Sequence, residues 1–230
     1  MEGHNFDIRK HLLEYDDVLN KQRTIIYKNR REILEAAVSG DKSALKRMIM
    51  DLVEQELEFV VSFHTNTEEK DDWNVSEIYE TAKTIFGFNE TEKTELLQTS
   101  RVSGSKVDEV ETREKIVNWL LAKAKKEYDK MAESVAVSAG NAEEAENLMF
   151  SIEKNILLRA IDSLWVEYLV SIDHLRAGIG LRGYGQRDPL IEYKKETYQM
   201  FNELQANIQK EVVYSFYKVS AGLQLAPSVM

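Results

Sequence analysis

The chain has 230 residues, 43% of them hydrophobic and 30% charged, with no cysteine and a net charge of −10. That is the composition of a folded globular protein, and it excludes a disulfide scaffold, a cysteine zinc site and a catalytic thiol. No apolar run approaches the roughly 20 residues that span a bilayer, and Met1 to Lys10 lacks a signal-peptide core, so the reading is a cytosolic chain.

The charge is uneven. Residues 1–40 hold seven Lys/Arg and seven Asp/Glu, residues 41–150 hold 14 and 24, and residues 151–230 hold nine of each. All the excess negative charge therefore lies in an acidic insert between two neutral segments. Such a surface repels phosphate backbones, so no nucleic-acid partner is expected, and the acidic residues read as a solvated face.

Only Pro189 and Pro227 interrupt the chain, which points to long helices. The first is expected over Asn5–Val38. Ile8, Leu12, Tyr15, Leu19, Ile26, Ile33 and Ala37 form one narrow seam of heptad type. A helix this long with one narrow seam cannot bury itself and must lie against other elements or another chain. Ser39-Gly40-Asp41 ends it, with Gly40 as C-cap and Asp41 capping the next helix.

The middle carries shorter helical patterns. Leu45, Met48, Ile49, Leu52, Val53, Glu56 and Val60 mark the first. Ile78, Tyr79, Ala82, Ile85 and Phe86 mark a short second one, capped by Ser76 and ended by Gly87. Leu96 and Leu97 suggest another short piece. Val107, Val110, Val117, Leu121, Ala124, Tyr128, Met131 and Val135 mark a longer helix reaching about Ala136.

A helical hairpin follows. Leu148, Ile152, Ile156, Leu157, Ile161, Leu164, Tyr168, Ile172 and Leu175 form its ascending face. Tyr198, Phe201, Leu204, Ile208, Val212, Phe216 and Val219 form the returning face. Asp188 and Pro189 suit the cap and first position of the returning helix, and Gly222 and Pro227 end the pattern. The fold class is all-α, with no competing strand alternation. The segments are a long scaffold helix (1–40), a small helical domain (41–147), the hairpin (148–222) and a frayed tail (223–230).

Gly178, Gly180 and Gly183 match G-x-G-x-x-G, but a dinucleotide loop must follow a strand, and this one follows about 30 residues of helix. On its own the loop reads first as a hairpin turn that needs glycines, with Tyr184 packed against it; the second reading is a Tyr184 freed by its flanking glycines to grip an extended polypeptide, with Arg176, Arg182 and Arg187 around it. No G-x-x-x-x-G-K-[ST] occurs, and the four histidines form no H-x-x-x-H pair, so neither a nucleotide site of that type nor a metal site is expected. Trp165 is expected to pack between the hairpin and the first helix. Asp162 beside it can accept from an arginine, with Arg9, Arg23 and Arg30 as candidates.

These residues resemble a known family. Asn5-Phe6-Asp7-Ile8-Arg9-Lys10, Leu13-Glu14-Tyr15-Asp16-Asp17-Val18 and Gln22-Arg23 are similar to the long scaffold helix of the SecA preprotein translocases. Asp162-Ser163-Leu164-Trp165, Asp173-His174-Leu175-Arg176, Gly178-Ile179, Leu181-Arg182-Gly183-Tyr184 and Asp188-Pro189 are similar to that family's two-helix finger, and Glu192-Tyr193-Lys194 and Phe201 continue the match. The resemblance covers residues 4–38 and 148–219. The middle segment corresponds in placement to the family's helical wing. Gly185 and Arg187 depart from the alanine and lysine usual in the family.

The resemblance implies an excised piece of a larger ATP-driven motor. Its ATP and Mg would sit in motor domains outside this chain, so the chain itself needs no cofactor and has no catalytic residue. Implied partners are the parent's motor and preprotein cross-linking domains, the SecYEG channel and unfolded preprotein. Arg9, Tyr15, Asp16 and Arg23 would serve scaffold-helix contacts. Tyr184, Leu181, Arg182 and Gln186 would form the polypeptide-contacting tip, and Trp165, Gly183, Asp188 and Pro189 would shape the finger. The location implied is cytoplasmic, peripheral at the inner membrane when bound to the channel. An exposed seam also leaves self-association open. The alternative is a free-standing helical adaptor that binds partner helices through residues 8–37.

Overall fold

The structure is a computed structural model that describes residues 2–66, 73–99, 106–179 and 188–225, with side chains described outside 2–12, 106–108, 221 and 223–225. The described residues form seven helices and no strand: α1 (Glu2–Ser39), α2 (Lys42–His64), α3 (Val75–Ile85), α4 (Glu90–Thr99), α5 (Lys106–Ser138), α6 (Ala142–Ile179) and α7 (Pro189–Leu225). The all-α expectation is borne out.

The helix boundaries follow local chemistry. Gly40 sits at φ +70°, a conformation that a side chain disfavours, and closes α1. Asp41 then accepts from the amides of Ser43 and Ala44 at 3.1 and 3.2 Å, capping α2 as expected. The cap of α3 is Asn74, not Ser76: Asn74 Oδ1 accepts from the Glu77 amide at 3.2 Å, and Ser76 already lies inside the helix. Asp188 caps α7 through the Leu190 amide at 2.8 Å, with Pro189 as first helical residue. α7 runs through Gly222 to Leu225, so that glycine does not end it; a single helical glycine costs only about 1 kcal/mol.

The chain divides into two compact units. One comprises residues 1–40 with 157–208, the other 41–156 with 209–230. α6 and α7 each contribute to both. Residues 148–156 and 209–222 belong by contact with the middle segment.

Packing in the second unit explains that assignment. The α2 core residues Leu45, Ile49, Val53, Leu57, Val60 and Val61 are buried, as are Ile116, Leu120, Ala124, Met131 and Val135 of α5. Phe216 of α7 stacks on Tyr128 of α5 at 5.4 Å, and Tyr217 meets Phe86 edge-on at 4.6 Å. The Tyr217 hydroxyl donates to the Ala124 carbonyl at 3.1 Å. Arg113 holds the end of α2 by donating to Thr65 Oγ1 and to its carbonyl, at 2.9 and 2.6 Å. The expected face of α5 is one position off at its start: Thr112 and Ile116 are buried, whereas Val110 is exposed.

In the first unit, Ile26, Ile33 and Ala36 of α1, Leu157, Ile161, Trp165, Tyr168 and Ile172 of α6, and Tyr193, Phe201 and Leu204 of α7 are buried. Three residues expected on the hairpin's inner faces, Leu148, Tyr198 and Val219, are instead exposed. Met149, Thr197 and Ser220, each beside one of them in sequence, are buried in their place. At Tyr198 the neighbour that takes the inner position is polar, the Thr197 hydroxyl donating to the Tyr193 carbonyl at 2.7 Å, whereas beside Leu148 it is the apolar Met149.

Candidate functional site

The candidate site is the scaffold face built by α1 on α6 and α7 in the first unit. The apolar seam of α1 steps by seven residues from Leu19 to Ile26 and again from Ile26 to Ile33. Polar residues Gln22 and Arg30 occupy the skipped turns, and each reaches across the bundle. Gln22 is buried; its Nε2 donates to the Thr197 carbonyl at 3.1 Å and its Oε1 accepts from the Tyr168 hydroxyl at 2.8 Å. Burial pushes the Tyr168 phenol well above its ordinary range, so it remains a donor here.

Arg30 settles which arginine meets Asp162. Its Nε donates to Oδ1 at 2.8 Å and its Nη2 to Oδ2 at 3.2 Å, a two-bond fork. The hydrogen bond and the carboxylate charge raise the guanidinium further above its usual value. Arg23 donates to Asn20 at 3.0 Å on its own helix, and the Arg9 side chain lies outside the described residues. Asp16 accepts from Arg176 at 3.1 Å. Tyr15, half-buried, meets Tyr193 edge-on at 4.6 Å. Burial, then the Asp188 charge, raise the Tyr15 phenol, while Arg176 opposes them.

Trp165 packs as expected between hairpin and first helix. It is stacked on Tyr168 at 5.4 Å and edge-on to Tyr27 at 6.4 Å. Its indole N–H is buried and meets no acceptor among the described residues. Tyr27, Arg30, Arg31 and Leu34 of α1, with Asp162, Trp165 and Val166 of α6, line an open groove of about 530 Å³. Tyr27 and Val166 are more than half exposed, so the long helix presents an outer apolar edge as well as its inner seam.

The structure thus brings Tyr15, Asp16 and Trp165 together with hairpin residues, keeps Arg23 on its own helix, and places Asp188 and Pro189 at the start of α7. The tip residues Leu181, Arg182, Gly183, Tyr184 and Gln186 lie outside the described residues. Sequence reasoning missed Gln22, Tyr193 and Thr197. The signal for Gln22 was available: a seven-residue step in an otherwise regular seam leaves one turn for a polar side chain that needs a partner. The Thr197 carbonyl takes the Gln22 amide on a lone pair, while its hydroxyl donates to the Tyr193 carbonyl at 2.7 Å, and bonds of this kind leave no trace in hydrophobic periodicity.

Comparison with known proteins bears directly on this scaffold face. Residues 1–220 match the family model described as the SecA Wing and Scaffold domain. The chain belongs to the SecA wing and scaffold family. It is 36% identical over 219 residues to the protein translocase subunit SecA of Thermodesulfovibrio yellowstonii, covering 95% of this chain and 21% of that protein. The SecA subunits of Geobacter metallireducens and of a Roseiflexus species are 38% and 33% identical over 219 and 225 residues, covering 95% and 96% of this chain. The chain spans about a fifth of the length of these relatives. No helix among the described residues is long and apolar enough to cross a membrane.

Proposed function

We propose that this chain is the scaffold and wing of a protein-export motor, and that it couples nucleotide-driven movement of the parent's motor domains to a polypeptide passing through the SecYEG channel. The observation that carries the reading is the family match over residues 1–220 together with the chain's one-fifth share of its relatives. A SecA wing and scaffold is one part of a longer protein, so its partners include the rest of that protein.

The scaffold face supports this role physically. α1 has 38 residues, about 57 Å of continuous helix. The ties at Asp16, Gln22 and Arg30 fasten it to the hairpin at three levels. A helix so fastened moves with the hairpin as a unit, which is what transmitting a displacement to a distant loop requires. The exposed edge at Tyr27, Leu34 and Val166 is the surface we assign to the motor and preprotein cross-linking domains. Tyr184, with Leu181, Arg182 and Gln186, is the assigned contact with unfolded preprotein. ATP and Mg are handled by the parent's motor domains, and this chain alone hydrolyses no ATP. Its working place is the cytoplasmic side of the inner membrane, peripherally bound.

The test is complementation in trans. The chain is added to the parent's motor portion truncated before Asn5, and association and ATP hydrolysis are followed together. Tight association with a changed hydrolysis rate is expected. Neither association nor a rate change would move the function to the free-standing helical adaptor. For the finger, Tyr184→Ala in the full-length motor should slow preprotein transport, and unchanged transport would remove Tyr184 from the contact.

A further inference from the structure

α2 carries more apolar surface than its packing uses. Its inner residues, from Leu45 to Val61, are buried within the second unit. Phe59 and Phe63 are 63% and 69% exposed, and their rings stack at 6.2 Å. Half-buried Met48 and Leu52 continue the same line toward the helix start. These positions form one stripe about 22 Å long, at the spacing with which one helix receives another. Single exposed apolar residues are ordinary, but a stacked aromatic pair at the end of such a stripe is a patch that calls for a partner.

The rest of that outer face is acidic. Asp51, Glu54 and Glu58 are exposed, and no ion pair engages them among the described residues. Arg47, on the same side of the helix, is held by Asp41 at 3.2 Å. We propose that the outer face of α2 docks a cationic amphipathic helix, whose apolar residues cover Met48, Leu52, Phe59 and Phe63 and whose Lys or Arg side chains meet Asp51, Glu54 and Glu58.

Charge complementarity selects that occupant. A second copy of this chain docked through the same face would set its own carboxylates against their counterparts. An anionic lipid surface is repelled for the same reason. A cationic helix is also drawn in from a distance, because residues 41–150 carry the whole net charge of −10. The surface belongs to the second unit and does not depend on the finger or scaffold contacts proposed above.

The probe is a fluorescein-labelled helical peptide of about 18 residues, Leu on one face and Lys along its flank, titrated into the full chain by anisotropy. The same peptide with Glu for Lys is the control. The Lys peptide should bind and the Glu peptide should not. Phe59→Ala with Phe63→Ala should weaken binding at least about tenfold, and the substitutions are in exposed positions that leave the core intact. Glu58→Lys should weaken it comparably. Glu143→Lys makes the same charge change in the exposed first turn of α6 and should alter affinity less than about twofold. Equal losses from Glu58→Lys and Glu143→Lys would reduce the effect to non-specific attraction and overturn the proposal. So would retained affinity in the Phe double variant, or a chain dimer that those same Phe substitutions dissolve.

Discussion

The two units handle polar groups at helix contacts in opposite ways. In the first, polar residues on the α1 seam are either neutral, as Gln22 with Tyr168 and Thr197, or ionic but partly solvated, as Arg30 with Asp162 at 39% and 49% exposure. In the second, charge goes inside. Lys123 is 6% exposed and bonds both Glu92, at 2.6 Å, and Glu127, at 2.9 Å, while Lys130 shares Glu127 at 2.7 Å. Glu153 is also buried, accepting from the Tyr128 hydroxyl. The acidic excess of the middle segment is therefore not only a solvated face, since part of it fastens α4 to α5. The difference teaches where a lost partner costs most: the ionic ties of the scaffold stay partly solvated, whereas those of the second unit are desolvated, so removing one partner there leaves a charge uncompensated.

The largest effect should come from Lys123. Burial alone would lower its ammonium, but the hydrogen bonds it donates to Glu92 and Glu127 outweigh that and hold it above its ordinary value. Lys123→Ala leaves the largely buried Glu92 without its cation and Glu127 with Lys130 alone, and should cost about 3 kcal/mol in urea unfolding. Arg30→Ala removes a cation from the exposed pair and should cost no more than about 1 kcal/mol. Equal costs would erase the contrast between the units.

Gln22 comes next. Gln22→Met keeps most of the side-chain volume but leaves the buried Tyr168 hydroxyl with only its long bond, 3.4 Å, to the Thr197 carbonyl. The cost should be about 1–2 kcal/mol, read as a lower urea midpoint at unchanged slope. Tyr168→Phe added to that variant should cost much less than in the wild type, because the hydroxyl's main partner is already gone. Additive costs would mean that the three groups do not act as one tie.

Much of the fold is legible from hydrophobic spacing. The seam at Ile26 and Ile33, the Gly40-Asp41 break and the Asp188-Pro189 start appear in the structure, because each depends on its immediate neighbours. What periodicity could not supply is the use made of polar residues inside. Glu127 and Glu153 count as solvated acids in a charge tally, yet they are buried: Lys123 meets Glu127 from the preceding turn of α5, and Tyr128 reaches Glu153 on another helix. Leu148 and Tyr198 look like core residues and are exposed, since Met149 and Thr197 take the inner positions. The site was half readable in the same sense: Asp162 plainly needed an arginine, but choosing Arg30 over Arg23 requires the rotation of α1 against α6, a tertiary quantity.

Glu153 offers the smallest effect and the sharpest test of sign. Burial raises its carboxyl above the usual value, with the Tyr128 hydrogen bond and the Lys46 charge opposing that shift. The folded state therefore holds the proton more tightly than the unfolded chain. Its contribution to stability is present at low pH and is lost as pH rises from the ordinary glutamate range through the raised value. Glu92 and Glu127 run the other way. Burial would raise them, but their lysine partners hold them below the usual value, so their contribution is lost as pH falls. Glu153→Gln keeps an acceptor for Tyr128 and removes only the titration. The variant should match the wild type below the ordinary glutamate range and become the more stable of the two as pH rises toward neutrality. A variant that is less stable at neutral pH would mean that Glu153 acts as a paired anion like its neighbours, and that the second unit holds all of its buried acids by charge.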